Sequence, residues 1–270
     1  MEIQRKMVGF LKEIAGTLVL TGDHDHFVIM NFKIAALAFA TTCSALHAQQ
    51  PSAQQILEGA RVAATLTHVD DPGGLKGTLS PKSGKSVPIV LFLKGKDIQF
   101  QFDEGKGWQV FHLRLADSSY DLFEINGGKT TKFPDAKITE PIAGTDLTYE
   151  DLSFRFFYWP NPILEGVENV NGQDCYKLRV NKPKNQAGRY DTVYIWVHTQ
   201  FGAFMQVKGY NNGKLLKEFV VEDVMKIADG VYTLKKMQVS TSDADSGRRV
   251  SITNVVFEKP KNAGPKGLQR

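Results

Sequence analysis

Alternation of apolar and polar residues constrains this chain more than any other feature of its sequence. Apolar side chains recur at every second position in 98–102, 111–115 and 176–180. A period of two is typical of β-strands that have one buried and one wetted face. These stretches therefore predict strands, and the chain must pair them into a sheet.

Turn-forming residues separate the predicted strands. Asn-Gly stands at 126–127 and 212–213, Asp-Gly stands at 229–230, and Gly95 lies between two apolar runs. Asn and Gly supply the positive φ angles that tight hairpins require. About ten strands with almost no helical pattern between them exclude alternating βαβ units. The sequence therefore predicts an antiparallel sheet.

Size and charge set broad limits on the domain. Without its first 48 residues the chain of 270 keeps about 222, which one β-domain can contain. Apolar residues make up 42% and the formal charge is +4, spread along the chain without the basic stripe of a nucleic-acid binder. We expect one domain over 49–257, no nucleic-acid partner, and a flexible basic tail over 258–270.

The segment 30–48 has the pattern of an export signal. A short basic start is followed by an apolar run over 34–46 and by a polar stretch after Ala48. The run is shorter than the about 20 residues that span a bilayer. We predict a cleaved signal peptide and a periplasmic protein, with the cut after Ala48 or Ala45. A core helix is the alternative interpretation.

Residues 1–29 precede this signal, although an export signal acts from the N-terminus. We therefore expect translation to start at Met30 and 1–29 to be a mis-annotated extension. His24 and His26 within it make a weak ligand set without a folded scaffold, so no metal site is expected there.

Cysteine use is compatible with export but provides no disulfide. Cys43 lies in the predicted signal, and the Ala-Thr-Thr before it is a poor match to a lipidation signal, which favours a soluble mature protein. Cys175 is then alone in the mature chain. We interpret it as a small buried hydrophobe.

One helix is predicted before the strands. Ile56, Leu57 and Ala60 recur at helical spacing in 52–64, and Ser52 is a suitable N-cap. Later strands are apolar on both faces: in 190–197, for example, aromatic and β-branched side chains alternate. Such a second apolar face must be covered by helices, by the rest of a curved sheet, or by a ligand.

The stretch 148–162 breaks the strand pattern. Thr148 and Asp151 form a sequence similar to a capping box, three Phe follow, and Pro160 ends the segment. We predict a short aromatic helix that acts as a lid on the sheet. Arg155 within it either reaches water or holds the lid by bonding to neighbouring carbonyls.

Catalytic patterns are absent from the sequence. It has no Gly-x-Ser-x-Gly elbow, His-Glu-x-x-His, phosphate-binding Gly loop or Cys-x-x-Cys. The residues 68–71 read His-Val-Asp-Asp and favour a solvated loop end over a metal site. Glu150 and Asp151 are better explained as a helix start than as an acid-base pair. We expect no enzyme, no cofactor and no metal.

Several stretches together resemble one known family. The most specific is 144–152, which reads Gly-Thr-Asp-Leu-Thr-Tyr-Glu-Asp-Leu. The others are 156–160, Gly172, 175–178, 194–197 and 213–217. Over most of 50–257 the chain resembles the LolA-like outer-membrane lipoprotein-sorting proteins of bacteria.

The resemblance implies a mainly β (α+β) fold, a strongly curved antiparallel sheet or incomplete β-barrel with a few covering helices. It also implies a cavity that binds the acyl chains of lipoproteins or other lipids and carries them across the periplasm without catalysis. Doubly apolar strands and an aromatic lid agree with such a cavity.

We expect the cavity and lid to be formed by aromatic side chains. They are Phe100, Phe102, Phe154, Phe157, Trp159 and Trp196. The expected partners are lipoprotein acyl chains or another lipid, together with envelope proteins, and a monomer is expected. The alternative is a non-enzymatic envelope interaction or sensor module with a fully packed core, which binds protein through strand edges.

Overall fold

A computed structural model describes residues 50–260, apart from 66–72, 95, 104, 106, 117–118 and 229–230. The predicted extension over 1–29, the predicted signal over 30–48 and most of the predicted tail lie outside the described residues. The described helices and strands belong to one unit, Ser52–Arg270. None of the described helices is long and apolar enough to cross a membrane.

The described residues contain thirteen strands in one sheet. The strands are β1 (Leu75–Pro81), β2 (Val87–Lys94), β3 (Asp97–Asp103), β4 (Trp108–Leu115), β5 (Tyr120–Asn126), β6 (Lys129–Lys132), β7 (Ile163–Val170), β8 (Gln173–Asn181), β9 (Thr192–His198), β10 (Phe204–Asn211), β11 (Lys214–Ala228), β12 (Val231–Ser242) and β13 (Arg249–Phe257). Their order across the sheet is β6-β5-β4-β3-β2-β1-β13-β12-β11-β10-β9-β8-β7. Every neighbouring pair is antiparallel, and β6 and β7 leave the sheet unclosed, so the predicted mainly β, antiparallel architecture is confirmed.

The sheet consists of two meanders joined by the pairing of β1 with β13. At this seam Gly77 lies opposite Phe257, whose ring occupies the space where a side chain of residue 77 would stand. A Cβ built on Gly77 would lie 2.6 Å from a carbon of that ring. The absence of a side chain at 77 therefore permits the close approach of the two halves.

The sequence pattern predicts fewer strands than the structure contains. β7 lies at an edge and exposes most of its residues, so it lacks the apolar alternation of a half-buried strand. The sequence has an Asn-Gly turn signal at 171–172, directly before β8. In the structure both residues adopt positive φ. That Asn-Gly pair is the feature from which β7 could have been predicted.

Helix α1 (Ala53–Thr65) precedes the sheet, as predicted. The Ser52 hydroxyl accepts a hydrogen bond from the Gln55 backbone N–H, and the Gln55 side chain accepts one from the Ser52 N–H. This reciprocal capping box fixes the start of the helix. Ile56, Leu57 and Ala60 are buried and turn the helix toward the sheet.

One face of the sheet, the inner face, carries the main core. Its largest fully buried side chains include Phe102, Phe111 and Phe219. Alternation along each strand places these residues on one side and polar residues on the other. The inner face is covered by α1 and by the long connection 133–162 between the two edge strands.

Candidate functional site

A cavity of about 200 Å³ lies between the inner face and its cover. Strands β1, β2, β3, β4, β10, β11, β12 and β13 contribute its floor, and almost all of the side chains that line it are apolar. Leu152, Phe154 and Phe157 from the connection contribute the opposite wall. This apolar lining is typical of a hydrophobic ligand pocket.

The cavity extends toward one end of the sheet. Leu93 at the end of β2 pairs with Ile98 at the start of β3, and Leu115 ends β4. Leu91, Leu93 and Leu115 line the cavity and are only partly buried. Apolar surface therefore remains accessible at this end, which we call the mouth.

The segment over the cavity is formed by two short turns of helix. Helix α2 (Tyr149–Ser153) is followed by Phe154 in the left-handed conformation and then by a 3-10 helix (Arg155–Tyr158). We call residues 149–158 the lid. The break at Phe154 divides the helix that the sequence predicts, and it directs Phe154 and Phe157 into the cavity.

Aromatic contacts hold the underside of the lid against the sheet. The ring centroids of Phe154 and Phe157 lie 5.7 Å and 5.9 Å from that of Phe204, which also lines the cavity. Phe156 packs on Phe157 at 5.0 Å. Such tilted and edge-on pairs are favourable arrangements of aromatic rings.

The start of the lid is fixed by a buried ion pair. Asp151 closes the capping box predicted with Thr148. Its Oδ1 accepts a hydrogen bond of 2.6 Å from the Tyr190 hydroxyl, and its Oδ2 lies 3.4 Å from Lys217 Nζ. The side chains of Asp151 and Lys217 are 0% and 6% exposed, respectively. Both acceptor oxygens are therefore committed to structural contacts.

Asp146 closes the end of the sheet opposite the mouth. Its Oδ1 accepts hydrogen bonds from the hydroxyls of Thr241, at 2.6 Å, and Ser251, and its Oδ2 accepts one of 2.8 Å from Thr253. Its backbone carbonyl accepts one from Lys217 Nζ. The most specific part of the resemblance, 144–152, therefore ties the lid to β11, β12 and β13.

Glu150 is buried next to Asp151 in the chain, but its surroundings differ from those of Asp151. Its Oε2 accepts a hydrogen bond of 2.8 Å from the Arg189 backbone N–H, whereas Oε1 is buried with no partner among the described residues. Burial raises the pKa of Glu150 to about 7; the Arg189 N–H lowers it, and the nearby Asp151 raises it further.

Arg155 holds the second half of the lid. Its Nη1 donates a hydrogen bond of 2.9 Å to the Ala187 carbonyl, and its Nε donates one of 2.7 Å to the Tyr120 hydroxyl. Of the two roles considered from the sequence, Arg155 therefore has the carbonyl-bonding one. It links the lid both to β5 and to the loop before β9.

The aromatic residues predicted to form the site are divided among three places. Phe100, Phe154 and Phe157 line the cavity. Phe102 and Trp159 are buried in the surrounding core and do not line the cavity. Trp196 lies on the outer face of the sheet.

Trp196 does not line the cavity because it alternates with Ile195 and Val197 along β9. Those two residues belong to the inner core, whereas Trp196 packs with Cys175 and Met205 in a separate outer cluster. Its indole N–H donates a hydrogen bond of 2.9 Å to Glu168. The side-chain stems of Lys177 and Lys208 help to cover this second apolar face, with each ammonium 5.4 Å from a ring centroid of Trp196.

Most of the aliphatic residues in the cavity wall are not predicted by the sequence pattern. Leu79, Ile89, Leu113 and Val255 line the cavity from four different strands. Their alternation predicts a buried face, but it does not predict which buried residues border an open space. That distinction depends on how far the lid lies from the sheet.

The described residues that line the cavity include no His, Cys, Asp or Glu. No group of three or more His, Cys, Asp or Glu residues there could hold a metal ion. Cys175 is fully buried on the outer side, and burial raises the pKa of its thiol to about 11. His112 bonds to Asp97 on the outer side of β4. The cavity itself presents an almost entirely apolar surface to a ligand.

A family model described as "Uncharacterized protein" matches residues 122–263, which is more than half of the 270 residues. A search of curated proteins found no match.

Solved structures similar to this chain include three that each have a TM-score of 0.54. A DUF1329 family protein from Desulfovibrio piger is 18% identical, over 77% of this chain and 93% of its own. A domain described as a candidate outer membrane lipoprotein-sorting protein from Vibrio parahaemolyticus is 16% identical, over 77% and 92%. A LolA superfamily protein from Nitrosomonas europaea is 14% identical, over 78% and 93%.

These TM-scores show a shared fold, and the resemblance predicted from the sequence is confirmed at that level. The chain therefore belongs to the family of uncharacterized proteins whose model it matches, and it has the fold of the LolA superfamily.

Proposed function

We propose that this protein is a non-catalytic carrier of lipid or lipoprotein acyl chains in the bacterial envelope. The observation that carries the proposal is the apolar cavity, open at the mouth and covered by an aromatic lid. Each buried CH₂ contributes about 0.8 kcal/mol, so an apolar pocket binds an acyl chain without any reaction. The similar domain described as a lipoprotein-sorting protein supports the same role.

The cavity's size limits what the present conformation can hold. An engineered apolar cavity of about 150 Å³ binds benzene, and the cavity here is about 200 Å³. It therefore fits part of one acyl chain. Several chains of one lipoprotein require the lid to move away from the sheet, and the division of the lid at Phe154 supplies a place for that movement.

The proposed location follows from the predicted signal. We propose that 30–48 is removed on export, that 49–257 acts in the periplasm as a monomer, and that 1–29 and 258–270 have no part in binding. A peptide map of the processed protein tests this layout, because peptides recovered from 1–29 would contradict it.

Lipid binding is tested on the full chain, purified without detergent. We expect the neutral dye Nile red to gain fluorescence with the protein, and organic extraction with mass spectrometry to recover lipid after incubation with membranes. Leu91→Arg places a charge on the cavity wall near the mouth and should weaken dye binding about tenfold or more.

Val256→Arg is the matched control, because Val256 is 37% exposed and its neighbour Val255 is the one that lines the cavity. It should bind as the unaltered protein does. Absence of both dye binding and extractable lipid from the unaltered protein contradicts a carrier. Envelope proteins captured in that case would favour the alternative of an interaction module that binds through strand edges.

A further inference from the structure

We propose that the outer face of the sheet carries a binding site for a neutral saccharide whose pyranose rings have flat, apolar faces. The site is an open groove of about 470 Å³, which we call the outer groove. Four neighbouring strands, β7 to β10, contribute its principal side chains: Glu168, Lys177, Tyr194, Trp196, Lys208 and Tyr210. Because the outer groove and the apolar cavity lie on opposite faces of the sheet, the inference goes beyond the proposed function.

Aromatic rings form the apolar part of the outer groove. The Tyr194 and Tyr210 ring centroids lie 5.5 Å apart and the two ring planes meet at 78°, so the rings form a corner. Both are half-buried, whereas the neighbouring Trp196 is almost fully buried, with its ring 6.3 Å from that of Tyr194. The C–H groups of a pyranose face carry slight positive charge and are attracted to the negative face of an aromatic ring. The corner therefore fits one sugar ring, which stacks on one tyrosine and packs against the other.

Charged side chains beside these rings supply hydrogen bonds. Glu168 Oε1 accepts a hydrogen bond of 2.8 Å from Lys177 Nζ, and Oε2 accepts one of 2.9 Å from the Trp196 indole N–H. These bonds lower the pKa of Glu168, so its half-exposed carboxylate remains an acceptor at neutral pH. A carboxylate and an ammonium each have more hydrogen-bonding sites than these contacts use. A sugar hydroxyl both donates and accepts, so it is suited to an acceptor and a donor that lie side by side.

The charges of the outer groove disfavour other classes of ligand. The ammonium groups of Lys177 and Lys208 each lie 5.4 Å from a ring centroid of Trp196, so a cationic ligand is repelled. Each ammonium is also paired with a carboxylate, Lys177 with Glu168 at 2.8 Å and Lys208 with Glu218 at 3.3 Å, so an anion must compete with these pairs. An acyl chain would remove the ions from water without replacing their hydrogen bonds. A neutral saccharide leaves both ion pairs intact and hydrogen-bonds to them.

The shape of the outer groove is set before a ligand arrives. Tyr194 lies opposite Lys208, and Tyr210 lies opposite Thr192, in the antiparallel pairing of β9 with β10. Lys177 Nζ also lies 5.2 Å from the Tyr194 ring centroid. Rings fixed by strand pairing lose little conformational freedom when a sugar stacks on them.

Titration of the full chain with cellotriose and with tri-N-acetylchitotriose tests the inference. The rings of both probes carry their substituents equatorially, so their faces are flat and apolar. Isothermal titration calorimetry should give a Kd of about 1 mM, as expected for an open site in which water competes for the hydrogen bonds. Trigalacturonic acid is the anionic comparison and should bind more weakly.

The Trp196 indole N–H provides a local signal in the same titration. The chain has three Trp residues, and the NMR signal that disappears in Trp196→Phe belongs to Trp196. This signal should shift on addition of either neutral probe, because the N–H is bonded to Glu168 in the outer groove. The measurement uses the unaltered protein, so it does not depend on how well a variant folds.

Variants identify the stacking ring. Tyr194→Ala should weaken the binding of both neutral probes about tenfold, because a stacking surface is lost. Tyr194→Phe keeps the ring and should retain most of the affinity. Trp108→Ala is the matched control, because Trp108 is 50% exposed on β4 and does not line the outer groove. It should bind as the unaltered protein does, and circular dichroism establishes that each variant is folded.

The outcomes separate this inference from the proposed function. Absence of binding of both neutral probes at about ten times the expected Kd overturns the inference. Tighter binding of trigalacturonic acid contradicts a neutral ligand. Binding that leaves the Trp196 signal unmoved, or that is equal in Tyr194→Ala, contradicts the outer groove as the site. Nile red binding should be the same in Tyr194→Ala as in the unaltered protein, so the lipid carrier stands or falls independently.

Discussion

Glu150 shows how one buried carboxyl can differ from its neighbour in sequence. Asp151 has Tyr190, Thr148 and Lys217 as partners, whereas Glu150 Oε1 has none among the described residues. Glu150 is 2% exposed, and burial without full compensation favours its protonated form. Its pKa of about 7 therefore follows from the way the lid is packed.

Glu150 is expected to make the stability of the fold depend on pH. Its folded pKa of about 7 lies above the ordinary value of 4.5, so its contribution is fully present below about pH 4.5 and is lost as pH rises through 7. Relative to the unaltered protein, Glu150→Gln should therefore gain about 3 kcal/mol of unfolding free energy between pH 4.5 and pH 8.

Urea unfolding across this pH range measures the difference. Glu140→Gln, at an exposed position, is the control and should follow the unaltered protein at every pH. Parallel curves for Glu150→Gln and the unaltered protein would show that Glu150 does not titrate in the predicted range.

At the scale of elements, the lid depends on tertiary contacts for its shape. Its two helical turns comprise nine residues and are too short to be stable alone. The capping box fixes where α2 starts, and this was predictable from Thr148 and Asp151. The left-handed Phe154 was not predictable, because Phe has no intrinsic preference for that conformation. Packing of Phe154 and Phe157 against Phe204 explains it.

The Asp151–Lys217 pair should be the strongest polar constraint on the lid. Asp151→Asn leaves the Lys217 ammonium buried without a carboxylate, and we expect it to cost about 3 kcal/mol of unfolding free energy. Asp245→Asn is the control, because Asp245 pairs with Lys214 at 2.9 Å but its side chain is 92% exposed.

The control should leave the unfolding free energy almost unchanged, because water screens an exposed ion pair. Urea unfolding at neutral pH measures both variants, and limited proteolysis with cleavage sites mapped to 149–158 reports on the lid itself. Equal, small losses for the two variants would contradict a buried structural pair.

At the scale of the whole molecule, the β1–β13 seam joins the two meanders that together form the cavity floor. Residues from β1, β2, β3 and β4 on one side and from β10, β11, β12 and β13 on the other line the same space. The close approach of Gly77 and Phe257 is part of this seam. A change there should therefore affect both halves.

Gly77→Ala tests the seam. The added methyl group would contact the Phe257 ring and the Val256 carbonyl oxygen, each 2.6 Å from the ideal Cβ position, and the backbone atom cannot move aside easily. We expect a loss of about 1–3 kcal/mol in unfolding free energy. Thermal or urea unfolding measures it, and Nile red binding reports whether the cavity changes with it.

Gly59→Ala is the opposite case. Gly59 lies within α1, and nothing stands within 4 Å of an added Cβ. Alanine favours the helix, so this variant should gain about 0.5–1 kcal/mol. A comparable loss in both variants would mean that the glycine-to-alanine change acts through something other than the seam contact.

Local sequence patterns are enough to predict the class of structure, because period-two alternation and Asn-Gly turns act within a few residues. They predict the antiparallel sheet, α1 with its Ser52 cap, and a lid that begins at Thr148. These features depend on local backbone conformation and on which face of a strand is apolar.

Which apolar residues meet at the cavity depends on the packing of the whole sheet. Alternation identified both stripes of β9 as apolar, but sheet packing placed Ile195 inside and Trp196 on the outer face. It also brought Arg61, distant in sequence from the lid, onto the ring of Tyr158. Contacts between residues far apart in the chain depend on the order of the strands and on how closely the lid and α1 pack against the sheet. A local sequence pattern specifies neither of these.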